Sequence, residues 1–105
     1  MARIVLNKSA TLAFGAAPKV RVKFEDNIMF VRPTDRTKGM ANLPKGEVVI
    51  DLKDKSETAK SFTVSHEAVM NGTMYVLKAA KYGWYALVAT PVLEARATDL
   101  TARVG

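Results

Sequence analysis

Cysteine is absent from the 105 residues, so neither a disulfide framework nor a thiolate metal site is open to this chain. A reducing, cytoplasmic setting is the expectation that follows. Histidine occurs once, at His66. With no second histidine and no thiolate to accompany it, a zinc or copper centre is not expected. No apolar run approaches the roughly 18 residues needed to cross a bilayer. The opening Met-Ala-Arg-Ile-Val-Leu-Asn-Lys carries too short an apolar segment for a secretory signal.

Catalytic signatures are missing as well. There is no Gly-x-Ser-x-Gly elbow, no Cys–His pair and no dinucleotide fingerprint. Asp51, Asp54 and Glu57 lie close in sequence, but no glycine-containing calcium loop surrounds them, and solvated acids are the expectation. These absences argue for a protein that is not an enzyme, with no catalytic residues, no metal and no cofactor.

What is present is a globular composition, 49% hydrophobic and 25% charged, of a length that suits a single domain over residues 1–105. Sixteen basic residues against ten acidic ones leave a net charge of +6. Such a surface draws phosphate polymers and anionic membranes alike, so the placement of the charges has to discriminate.

Lys19 to Phe24 reads KVRVKF, basic and apolar in strict alternation, which is the period of a half-buried strand. Asp26-Asn27 separates it from IMFVR, Ile28 to Arg32. Two strand-like runs about residues that tolerate left-handed dihedrals read as a β-hairpin. A two-residue loop sets Phe24 against Met29 and Val22 against Val31, with Val20 completing an apolar face. The other face then carries Arg21, Lys23, Ile28, Phe30 and Arg32. A three-residue loop moves Ile28 and Phe30 to the apolar side instead. The basic stripe Lys19, Arg21, Lys23 precedes the turn and is expected to be exposed with either loop.

Pro33 is expected to end the second strand. RPTDRTKGMANLPKG, Arg32 to Gly46, then follows with Arg32, Arg36, Lys38 and Lys45 against one acid, Asp35. Connections of this length are uncommon unless functional or disordered. Threonines, glycines and cations together suit phosphate contacts, while the lack of a Gly-Lys-Ser/Thr ending excludes a Walker loop.

GEVVIDL, up to Leu52, reads as a strand. The polar KDKSETAK, Lys53 to Lys60, reads as a loop and SFTVS as another strand. Ser65 suits the cap of a short helix over His66 to Met70, stopped at Asn71-Gly72. TMYVLKA and GWYALVA form a second hairpin about Lys81-Tyr82-Gly83, with Gly83 in a left-handed position. Of Trp84 and Tyr85, which alternate between faces, Trp84 is the expected core residue and Tyr82 the exposed one. RIVL near the start is a further strand. From Val92 onward a helical stripe (Leu93, Ala97, Leu100, Val104) competes with strand alternation (Leu100, Ala102, Val104); good helix formers and Pro91 favour the helix.

The expected fold is therefore all-β or β-rich α+β: a small antiparallel curved sheet or barrel with one or two short helices. Cations beside aromatics on a sheet are what single-stranded nucleic acid asks of a protein. The expected function is non-enzymatic binding of single-stranded DNA or RNA, away from membranes. Lys19, Arg21, Lys23, Arg32, Arg36, Lys38 and Lys45 would meet phosphates, and Phe30 and Tyr82 would stack on bases. The alternative is a protein-interaction module or a homo-oligomer assembled through exposed strand edges.

Overall fold

The computed structural model describes residues 2–35, 43–56, 59–66, 69, 72–89 and 100–105. In chain order the elements are β1 (Ala2–Leu6), α1 (Lys8–Phe14), β2 (Lys19–Glu25), β3 (Ile28–Thr34), β4 (Val48–Asp51), β5 (Lys53–Ser56), β6 (Ala59–Val64), β7 (Met74–Ala79), β8 (Tyr85–Ala89) and β9 (Thr101–Val104). A 3₁₀ turn, Lys81–Gly83, joins β7 to β8.

All strands belong to one antiparallel sheet in the order β4-β2-β3-β8-β7-β9-β1-β6-β5. β4 and β5 are separated by Leu52 alone. They make one bent strand, whose first half pairs with β2 and whose second half pairs with β6. Counted so, eight strands form a nearly closed barrel. The Leu52 N–H donates to the Pro18 carbonyl at the bend, so the backbone stays bonded as it crosses from one end of the sheet to the other.

The β2–β3 hairpin has the two-residue loop. Asp26 and Asn27 both lie in the left-handed region, with φ of 52° and 62°, the geometry of a type I′ turn. Phe24 faces Met29 and Val22 faces Val31. Val20, Val22, Met29 and Val31 are buried with Ile4, Leu6, Phe62, Val64, Leu77, Leu87, Ala102 and Val104 in one apolar core. Alternation along the strands that carry these residues thus fills the barrel.

β3 continues through Pro33 to Thr34, past the expected end. β2 pairs its whole length, whereas β8 pairs only with Phe30 and Val31. Pro33 lies on a stretch with a single neighbour, the edge-like position in which a missing N–H is tolerated.

Helix α1 has no counterpart in the sequence reading. Asn7 caps it, its Oδ1 accepting from the Ala10 N–H at 2.8 Å, and Gly15 ends it at φ 64°, a left-handed conformation that glycine adopts without strain. The same Asn7 oxygen accepts from the Thr101 N–H, which ties the helix start to β9. At the other end Lys60 donates through Nζ to the Gly15 carbonyl at 2.6 Å, and its N–H donates to the Thr11 hydroxyl. Ala10, Thr11 and Phe14 are buried, and the Phe14 ring lies 5.6 Å from that of Tyr85.

Two further segments differ from expectation. Lys53–Ser56, read as loop, is strand β5. Its polar composition conceals a run whose place in the sheet comes from backbone bonds to β6. Thr101–Val104, where a helix was favoured, is strand β9. It lies between β7 and β1 and pairs with both, so its backbone is bonded on two sides while Ala102 and Val104 enter the core. The rest of that stretch, 92–99, lies outside the described residues. So does most of the expected helix over His66 to Met70. His66 itself stacks on Phe24, with ring centroids 3.6 Å apart and planes 7° from parallel. Among the described residues no helix is long and apolar enough to cross a membrane.

A candidate aromatic and cationic groove

Because Val22 and Val31 point inward, their neighbours point out. Lys23 faces Phe30 across the hairpin, and Arg21 faces Arg32. Phe30 faces Ala86 in β8, which faces Lys78 in β7. Lys23, Phe30, Ala86 and Lys78 therefore form one row across four strands on the outer face of the barrel. The small Ala86 leaves the Phe30 ring without a bulky neighbour on that side.

Trp84 completes this surface. It is buried, at 7% exposure, as expected, but it is not in the barrel core. Tyr85, the next residue, takes the inward place against Phe14. Trp84 is covered from outside: Lys23 Nζ stands 4.5 Å from its ring centroid and Arg21 Cζ 5.4 Å from it. Lys23 Nζ also lies 5.5 Å from the Phe30 centroid. One ammonium thus bridges two ring faces, a cation–π arrangement.

Tyr82 stands at the rim. It is 83% exposed and holds φ 60°, ψ 32° in the middle of the 3₁₀ turn. A bulky side chain in the left-handed region costs about 1–2 kcal/mol, and such strain concentrates at functional positions. Gly83, at φ 79°, follows it, and a Cβ there would lie 3.5 Å from Arg32 Nε. The guanidinium of Arg32 runs close beneath the turn.

Together Lys23, Glu25, Phe30, Ala80, Lys81, Tyr82 and Trp84 line a groove of about 280 Å³, just below the range of pockets that enclose drug-sized ligands. It suits one planar ring system. A larger hollow of about 730 Å³ is bordered by Phe14, Arg21, Arg32 and Asp35. It opens where the chain leaves β3 toward residues outside the description, and its one lining ring, Phe14, packs in the core. The smaller groove is the better-defined site.

The basic stripe is less open than its alternation implies. Lys19 Nζ donates to Asp51 at 2.5 Å. Arg21 donates through both Nε and Nη2 to one oxygen of Glu47, at 2.9 and 2.5 Å. Lys23 lies 3.3 Å from Glu25. The three side chains are only 15–26% exposed. Hydrogen bonding and the charge of Lys19 hold the Asp51 carboxyl below its usual pKa. β4 lies beside β2 and supplies the Asp51 partner, while the turn before it supplies Glu47; neither pairing is readable from local sequence. Arg32, Lys45, Lys78 and Lys81 form no ion pair among the described residues, and the last three are exposed.

Of the expected site residues, Lys23, Phe30 and Tyr82 meet in the groove, with Arg32 beside it. Lys19 and Arg21 are held by acids, Lys45 stands apart in the turn before β4, and Arg36 and Lys38 lie outside the described residues. Trp84, Lys81 and Glu25 line the groove without having been expected there. Lys81 and Trp84 flank the Tyr82-Gly83 turn of the second hairpin, and assigning Trp84 to the core hid its part. Comparison with known protein families, curated proteins and solved structures finds no match for this chain.

Proposed function

We propose that the protein binds single-stranded nucleic acid without catalysing a reaction, seating a base in the groove between Phe30 and Tyr82. The observation that carries this reading is the meeting, on one outward surface, of the Phe30 and Tyr82 rings with Lys23 and Lys81, above the buried Trp84. Stacking on aromatics is available to every base, and ammonium groups at the rim meet the backbone on either side. Arg32, Lys78 and Lys81 are the cations best placed for phosphates, since acids do not already hold them. The net charge of +6 adds a general attraction to polyanions. Assembly through open strand edges is the weaker reading, because the bent strand β4–β5 takes up pairing positions at both ends of the sheet.

Fluorescence anisotropy of a labelled oligonucleotide, followed against salt, tests this. Affinity should fall linearly with the logarithm of salt concentration, with a slope of about −0.7 per neutralised phosphate. Phe30→Ala and Tyr82→Ala should each weaken binding by about 1–3 kcal/mol and leave the slope unchanged, since stacking releases no counterions. Lys81→Ala should make the slope shallower by about 0.7. Absence of binding at about 50 mM salt, where phosphate contacts are strong, would overturn the proposal and favour the assembly reading.

A further inference from the structure

Glu25 is out of place in a site built only for phosphate. Its carboxylate lines the groove beside the three rings, is well exposed, and lies 3.3 Å from Lys23 Nζ. An ionised carboxylate repels phosphate and only accepts hydrogen bonds. Beside a stacking platform its natural partner is a base edge that donates. Lys23 and Glu25 therefore offer a donor and a two-oxygen acceptor side by side at the groove.

We infer that the groove prefers guanine. This rests on the nucleic-acid reading above and sharpens it. The Watson–Crick edge of guanine carries the O6 acceptor next to two donors, N1–H and the 2-amino group. O6 can accept from the Lys23 ammonium while both donors reach the two carboxylate oxygens of Glu25. Adenine, cytosine and thymine each set one donor beside an acceptor on this edge, so one carboxylate oxygen stays without a bond. Recognition of splayed-out bases on this edge, with a ring stacked on an aromatic, is a general mode for single strands. The groove volume of about 280 Å³ limits the reading to one base.

The test uses the whole protein and labelled thymidine oligonucleotides of about eight nucleotides, within the usual single-strand site sizes. One carries a central guanine, one a central inosine and one thymine throughout. The guanine strand should bind about 10-fold more tightly than the thymine strand, the scale of one good bidentate contact. Inosine, which keeps N1–H and lacks the 2-amino group, should fall between them. Glu25→Gln should remove the preference while the thymine strand still binds. Equal affinity for the three strands, or an undiminished preference in Glu25→Gln, overturns the guanine inference and leaves the nucleic-acid reading standing. Failure of all three strands to bind overturns both.

Discussion

Arg21 lies on a strand face that alternation marks as polar, and its guanidinium is nevertheless part of the packing. It bonds Glu47 through two nitrogens and lies over Trp84, with the arginine side chain 15% and the glutamate 9% exposed. Removing one partner strands the other in a poorly hydrated place, whereas replacing both by apolar groups can be neutral. Arg21→Met should therefore cost about 2 kcal/mol, the scale of a lost bond to a charged group. The double variant Arg21→Met with Glu47→Leu should recover most of that loss. Thermal melts of the two proteins check this, and equal melting of Arg21→Met and the parent would show the pair to be dispensable. The salt slope of oligonucleotide binding should stay the same in Arg21→Met, in contrast to Lys81→Ala, because Arg21 is already neutralised.

At the scale of elements, the two hairpin turns solve the same problem differently. Asp26-Asn27 places two residues at positive φ without glycine, which Asn and Asp tolerate and β-branched residues do not. Converting the pair to Asn-Gly, the preferred type I′ sequence, should stabilise the protein by about 0.5–1 kcal/mol. Asn27→Val should destabilise it by about 1–2 kcal/mol. Urea unfolding with an unchanged m value measures both; a stabilising Asn27→Val would contradict the turn geometry. At the second turn Tyr82 is held left-handed where Asn or Gly would sit at lower cost. That strain supports a role for the ring outside folding.

At the scale of the whole molecule, the barrel depends on two devices. The bent strand β4–β5 bridges the ends of the sheet, and α1 sets Phe14 against Tyr85 inside the core. Phe14 is 4% exposed. Its truncation to Ala should cost about 3–5 kcal/mol, as for other buried aromatics, a large part of the ~5–15 kcal/mol that holds a domain folded. Calorimetry should show a lower melting temperature, or loss of the transition altogether. An unchanged transition would mean that α1 contributes little to the core. The exposed Leu12 on the same helix provides the contrast, since Leu12→Ala should alter stability by about 0.5 kcal/mol or less.

Apart from the turn length, which left the faces of Phe30 and Val31 open, the sequence by itself determined the antiparallel strand class, the β2–β3 hairpin with Val20 and Val22 inward, and the outward place of Lys23. These follow from period-two alternation and from a turn whose residues tolerate positive φ, both local properties. Helix α1 was not legible, because the run between its caps Asn7 and Gly15 is too short to stand out. Tertiary structure alone decided the rest. β5 and β9 are strands because neighbours distant in sequence complete their backbone bonds. Alternation divides Trp84 and Tyr85 between the two faces, but that Tyr85 is the inward one, packed against Phe14, comes from the tertiary structure. Lys19 and Arg21 lose their freedom because Asp51 and Glu47, about thirty positions away in sequence, arrive beside them when β4 pairs with β2. Long-range pairing sets which charges remain available, and local pattern carries no record of it.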